Sequence, residues 1–123
     1  PAERMKAGME HRVPLSPSAV AVLKSIERQG DFVFNGLRVN RPISDATMRK
    51  LLQKDMGFGH LVVHGFRSTF RDWCAEETSH ANIVAEMALA HTIKDQAEAS
   101  YRRGDLFKKR AALMQDWGKY LCP

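Results

Sequence analysis

Apolar residues return at three- and four-residue intervals through most of this chain, and caps and glycines cut the pattern into short helices. Ser16-Pro17 opens the first. Serine supplies an acceptor for an orphan helix N–H, and proline in the first turn gives up no hydrogen bond. Ala19, Val22, Leu23 and Ile26 then share a face, and the helix is expected to end near Gly30. Ser44 caps a second helix, with Met48, Leu51 and Leu52 on one side and Gly57 at its end. A third should begin just after His64-Gly65, with Phe66, Phe70, Trp73 and Cys74 as its apolar face. Ile83, Val84, Met87 and Ala88 mark a fourth, ending near His91. Asp95 or Gln96 opens a short helix through Tyr101 to Arg103, which Gly104 stops. Asp105 caps the last, where Leu106, Leu113, Trp117 and Leu121 form one stripe.

Extended structure is expected at one edge. From Glu3 to Leu15 the chain reads as a two-stranded hairpin, with Gly8 in its turn, Lys6 at its tip, and Val13 and Leu15 in alternation. Pro14 confines that strand to an edge or to its own end, because proline lacks the N–H a ladder needs. Phe32-Val33-Phe34 is a short strand or extended link, and Asn35 to Pro42 a loop. The expected fold is mainly α with a small β-hairpin or sheet at one edge, an α+β arrangement.

The 123 residues amount to one domain at most. The chain starts at Pro1 and runs almost at once into patterned sequence, which reads as a piece of a longer protein. No apolar run approaches a membrane span, and no signal peptide is evident. Cys74 and Cys122 form no CxxC pair, so nothing suggests a disulfide framework and a reducing cytoplasm fits. Nineteen Lys and Arg against fourteen Asp and Glu give a net charge of +5, which makes a polyanionic partner plausible without proving one.

A few residues could carry chemistry. His64 and Arg67 stand three apart at a loop-to-helix junction, where unpaired N–H groups make a natural anion site and a guanidinium can grip two phosphate oxygens. Tyr101 is followed by Arg102 and Arg103, and neighbouring positive charge favours a phenolate. His91 ends an apolar helix, and Lys6 sits in a turn. Taken singly, each has a commoner role: a surface arginine, a turn histidine, a half-buried tyrosine, a helix-end histidine, a solvated lysine.

Their order is more specific. Lys6 precedes His11-Arg12-Val13-Pro14-Leu15-Ser16; His64-Gly65-Phe66-Arg67-Ser68-Thr69-Phe70 follows; then Leu89-Ala90-His91 comes ten residues before Tyr101-Arg102-Arg103. This series resembles the catalytic half of tyrosine recombinases, most of all the integrases of bacterial prophages and genomic islands. The resemblance runs from about Glu3 to Trp117 and takes in Tyr101-Arg102-Arg103-Gly104-Asp105-Leu106 and Met114-Gln115-Asp116-Trp117.

The resemblance implies the DNA breaking-rejoining catalytic fold, and it implies roles. Tyr101 matches the nucleophile that forms a 3′-phosphotyrosine bond to DNA, and Arg67 the second of two arginines on the scissile phosphate. His64 matches the histidine that takes or positions a proton, His91 the histidine that hydrogen-bonds the phosphate, and Lys6 the lysine that protonates the departing 5′ oxygen. Cationic donors around a developing phosphorane offset the repulsion that protects a phosphodiester, so no metal or other cofactor is implied. The implied partners are double-stranded DNA attachment sites, further protomers completing a tetramer on DNA, and accessory DNA-bending or directionality proteins, with no membrane.

The match departs from the family in places. The first catalytic arginine has no counterpart, since Arg4 and Arg12 merely flank Lys6; the core-binding and arm-binding domains are absent as well. Residues 1–123 thus read as a partial catalytic domain, expected to be poorly active or inactive alone. Ala90 stands where many relatives have glycine before the histidine, and being small it is read as a minor change. Three other classes compete: a type IB topoisomerase-like enzyme, a non-catalytic helical DNA-binding module, and a metal enzyme using His60, His64, His80 or Cys74. Gly57 and Gly59 argue against a continuous helix placing His60 and His64 on one face.

Overall fold

A computed structural model describes residues 1–38, 40–91 and 104–123. Five α-helices are present among them: α1 (Pro17–Ser25), α2 (Asp45–Lys50), α3 (Gly65–Glu77), α4 (Asn82–Ala88) and α5 (Phe107–Leu121). A short 3-10 turn spans Ala2–Arg4, and α2 runs on into a π-helical turn over Leu51–Asp55. The short helix expected to carry Tyr101 lies outside the described residues.

The helix starts follow their chemistry. Ser16 Oγ accepts the N–H of Ala19 at 3.2 Å, an N-cap bond with Pro17 in the first position. Ser44 occupies the N-cap of α2, but its hydroxyl pairs with Thr47 Oγ1 at 2.9 Å and not with a backbone N–H. Gly57, at φ +77°, follows the end of the π turn at Met56. The first helix stops at Ser25, short of Gly30, where the Ser25 hydroxyl donates to the Val22 carbonyl. At the start of α5, Leu106 takes the N-cap position at φ 51°, and Asp105 Oδ1 accepts the Phe107 N–H from one residue further back.

The expected hairpin and sheet are not there: among the described residues there is no strand, only an isolated bridge between Asn35 and Pro42. The turn at the supposed hairpin tip does form, closed by the Gly8 N–H on the Met5 carbonyl at 2.9 Å with Gly8 at φ +65°. No ladder flanks it. Val13 and Leu15 are 56% and 50% exposed, so their alternation faces no apolar partner, and Pro14 cannot donate. A lone two-stranded ribbon is marginal in water without a third strand or a packed face. Phe32-Val33-Phe34 is likewise not a strand, with Val33 and Phe34 exposed.

The chain divides into two compact units, Pro1–Ala19 with Arg71–Pro123, and Val20–Phe70. The first is the better filled. Trp73, Cys74, Val84, Ala85 and Leu113 are its buried apolar side chains, and Trp73, Trp117 and Tyr120 cluster with ring centroids 4.9 to 5.6 Å apart. Leu121 leaves the expected α5 stripe and is exposed. The second unit buries Leu52 and Phe70, while Phe66, expected on the apolar face of α3, is 56% exposed.

Candidate functional site

Lys6 and His91 belong to the first unit, His64 and Arg67 to the second, and Tyr101 lies outside the described residues. Lys6 is exposed in the Met5–Gly8 turn. His64 is exposed in the loop just ahead of α3, and Arg67 is half-buried in the first helical turn.

The start of α3 differs from the simple anion site expected there. The N–H groups of Gly65, Phe66 and Arg67 donate to the carbonyls of Val62, Val63 and His64 at 2.9, 3.3 and 3.1 Å. Loop carbonyls therefore occupy the donors that an incoming anion would need. Any grip on a phosphate at this junction falls to the side chains.

His91 is held at both its backbone and its ring. Leu89 closes α4, Ala90 turns left-handed at φ 54°, and two reversed bonds finish the helix. Ala90 N–H meets the Met87 carbonyl at 3.2 Å, and His91 N–H meets the Glu86 carbonyl at 3.0 Å. This is the Schellman pattern, whose left-handed position favours glycine because any Cβ there is crowded. The alanine at 90 is therefore a strained substitution, a consequence its small size conceals.

The His91 ring turns back onto the same helix. Its Nδ1 lies 2.6 Å from Glu86 Oε2, while Glu86 Oε1 is 2.6 Å from Arg71 Nε. The hydrogen bond from His91 and then that from Arg71 hold the Glu86 carboxyl below its usual pKa, against a smaller opposing effect of burial. Arg71 stands four residues after Arg67 on α3. Glu86 and Arg71 were invisible as site residues in the sequence, because a Glu on a short helix reads as a solvated face. The one signal is the Glu-x4-His spacing across a helix end.

A second cluster was also missed. Arg110, a basic residue of α5 that the sequence does not single out, is 1% exposed. Its Nε donates to the Asp105 carbonyl at 2.7 Å, Nη1 to the Arg12 carbonyl at 2.6 Å, and Nη2 to Asp105 Oδ2 at 2.9 Å. Arg12 Nη2 reaches the same carboxylate oxygen at 2.8 Å, and both guanidiniums lie over the Phe107 ring. The Arg12 bond, ahead of the Phe107 N–H, holds Asp105 below the usual carboxylate range. Arg12 thus has an anchoring partner of its own. Asp105 comes four residues after Tyr101 in the sequence.

Other titratable groups are structural in placement. His80 Nε2 is 2.9 Å from Asp116 Oδ2, and that bond, with Lys119 nearby, lowers the Asp116 pKa. Burial raises the Cys74 thiol pKa, partly offset by Arg71. His60 and His64 lie in non-helical chain, and no cluster of three or more potential metal ligands occurs among the described residues. A groove in the second unit, lined by Ile26, Val33, Phe34, Ile43, Met48 and Leu51, is apolar and contains none of the candidate residues. Among the described residues, no helix is long and apolar enough to cross a membrane.

The second unit holds eight Lys and Arg against four Asp and Glu, out of nineteen and fourteen in the chain, so most of the net positive charge is there. Lys24, Arg38, Arg41, Arg49, Lys50 and Lys54 are exposed and make no ion pair among the described residues. Arg38 and Arg41 share a turn, closed by the Arg41 N–H on the Arg38 carbonyl at 3.2 Å and by the Asn35–Pro42 bridge. Gly36 permits that closure, since a Cβ there would come within 2.7 Å of the Pro42 carbonyl oxygen.

No family model and no solved structure matches the chain. Curated proteins do. The chain is 35% identical over 121 residues to prophage integrase IntA of Escherichia coli strain K12, covering 95% of this chain and 29% of that protein. Prophage integrase IntZ of the same strain is 36% identical over 121 residues, 95% of this chain and 30% of that protein. The integrase of Enterobacteria phage P4 is 29% identical over 125 residues, 95% of this chain and 28% of that protein. The chain spans about three-tenths of the length of these relatives. Over nearly all of its own length, then, the chain is similar to integrases of prophages and of a phage.

Proposed function

We propose that this chain is part of the catalytic domain of a tyrosine recombinase that inserts or excises a mobile element at specific DNA sites. The observation that carries the reading is the ordered set Lys6, His64-x-x-Arg67, His91 and Tyr101, within a chain similar along its length to integrases of prophages and a phage.

In this reading Tyr101 Oη attacks the scissile phosphorus while the bond from phosphorus to the 5′ oxygen breaks. His64 takes or relays the phenolic proton, and Lys6 supplies one to the leaving 5′ oxygen. Arg67 and His91 stabilise the added negative charge on the non-bridging oxygens. The new 3′-phosphotyrosine ester keeps the energy of the broken phosphodiester, so a 5′ hydroxyl can reverse the step and rejoin strands without ATP. Duplex DNA is the partner, bound through cations such as those of the second unit, and the parent protein assembles as a tetramer on paired sites with accessory DNA-bending proteins. The upstream arginine, the core-binding domain and the arm-binding domain belong to that longer protein, and the 123 residues alone are expected to cleave poorly.

The test uses the full-length parent and duplexes spanning the ends of its element, nicked beside the cleavage point so that the released strand diffuses away. A covalent protein–DNA adduct should form and disappear in Tyr101→Phe, while DNA binding persists. Supercoil relaxation without site preference would favour a topoisomerase instead. Binding with no adduct would leave only a DNA-binding module.

A further inference from the structure

We propose that Glu86 is the positioning residue for His91, fixing the imidazole through Nδ1 so that Nε2 is the nitrogen offered to a DNA phosphate. This role rests on the assignment of His91 given above. Two independent bonds join the same pair of residues: the His91 N–H to the Glu86 carbonyl at 3.0 Å, and Nδ1 to Oε2 at 2.6 Å. The first ends α4 and sets where the His91 backbone leaves the helix. The second sets the rotation of its ring.

The direction of the side-chain bond follows from the chemistry of the acceptor. An ionised carboxylate can only accept, so Nδ1 carries the hydrogen. Arg71, 2.6 Å from the other carboxylate oxygen, keeps Glu86 ionised and stops the carboxylate from turning away. With Nδ1 committed, Nε2 is the one ring nitrogen available, and it makes no hydrogen bond among the described residues. To donate to a phosphate oxygen, Nε2 needs its own proton. The ring then acts as an imidazolium with Glu86 as counter-ion, giving the phosphate a charged donor in place of a neutral one.

Two measurements test this, one independent of catalysis. Ring ¹⁵N spectra of the 123-residue chain should show His91 protonated at Nδ1 in the wild type. In Glu86→Ala the Nε2–H tautomer should appear, with Glu86→Gln between them because its amide oxygen still accepts. Far-UV circular dichroism of the variants checks that the helices persist. In the full-length parent, Glu86→Ala should slow adduct formation about ten- to hundredfold, by analogy with the loss of carboxylates that orient metal-bound histidines. Glu86→Gln should recover part of that, and Glu86→Ala should add little on top of His91→Ala. A neutral wild-type ring protonated at Nε2 with Nδ1 bare, or additive effects of Glu86→Ala and His91→Ala, would overturn the role. A Tyr101-dependent adduct that His91→Ala slows and Glu86→Ala does not would also overturn it, while the recombinase reading stood. Failure to find any Tyr101-dependent adduct would remove that reading and this role together.

Discussion

Arg110 and Arg12, 98 positions apart, are joined by a 2.6 Å hydrogen bond from a guanidinium to a backbone carbonyl. A guanidinium almost fully withdrawn from water is stable only if its N–H groups find acceptors, and here three nitrogens do. The planar fork reaches acceptors in different directions, which an ammonium on a single stem does not match. Arg110→Lys should therefore cost about 2 to 3 kcal/mol and Arg110→Ala more, by loss of charge-assisted bonds and by an unfilled space. Urea unfolding of the three proteins measures this. A change under about 0.5 kcal/mol, the scatter of surface substitutions, would mean that the cluster holds nothing together.

Ala90→Gly should stabilise the chain. The left-handed backbone at φ 54° crowds a Cβ by roughly 1 to 2 kcal/mol, and the extra freedom glycine gains when unfolded returns part of that. A gain of about 1 kcal/mol in urea unfolding is expected, with His91 chemical shifts unaltered. A loss of stability would show that the turn after α4 is not held in this conformation.

Gly118→Ala should do the opposite, although alanine favours helix by about 1 kcal/mol. Gly118 is buried in α5, and a Cβ there would lie 2.6 Å from Ser16 Cβ and Oγ and 3.0 Å from Ser18 Oγ. Ser16 caps α1, so it cannot retreat without losing its bond to the Ala19 N–H. A net destabilisation of roughly 1 to 3 kcal/mol is expected by overpacking. Combining it with Ser16→Gly should recover much of the loss, because glycine removes the obstructing Cβ and still caps tolerably.

These features mark the boundary of what the sequence discloses. Helix starts at Ser16-Pro17 and Gly65 were legible because caps and glycines act within one turn, and the helix end near His91 because the spacing of Ile83, Val84, Met87 and Ala88 stops there. The hairpin was not, because alternation over Val13 and Leu15 predicts a strand only where another element covers one face. The open anion site at α3 was likewise misread, since the loop carbonyls that fill it depend on how residues 62–64 turn back. Nothing in the sequence marks Arg110 or Glu86 among the other charged residues. Their partners come from across the fold or around a helix end, and no local periodicity encodes them. The candidate residues themselves were legible only as a series, since none is distinctive alone.

Acid should lower the chain's stability through three carboxylates. Glu86, Asp105 and Asp116 are each lowered, chiefly by bonds from His91, Arg12 and His80 respectively. A carboxyl lowered on folding contributes stability that is complete above its unfolded value, about 4, and lost as pH falls through the folded one. Stability should thus decline with pH from about 4.5 downward. Glu86→Gln removes one of the three, so its urea midpoint should fall less steeply over the same range. A parallel decline would exclude Glu86 as a contributor.

Charge distribution gives a prediction about DNA. Among the described residues the ion pairs, with Asp105, Glu86 and Asp116 as the acids, all lie in the first unit, whereas Arg38, Arg41 and Arg49 of the second are exposed and unpaired. A cation already facing a carboxylate gains little from a phosphate, because the exchange breaks one pair to form another. An unpaired one releases a DNA counterion at no such cost, and each phosphate contact steepens the dependence of log affinity on log salt by about 0.9. If all three arginines contact the backbone, replacing them by glutamine should make that slope shallower by roughly 2 to 3, for cognate and unrelated duplexes alike. Lys119→Gln in the first unit, whose ammonium sits 3.6 Å from Asp116, should leave it unchanged. Equal slopes for the triple variant and the wild type would move the DNA-binding surface away from the Arg38–Arg41 turn and α2.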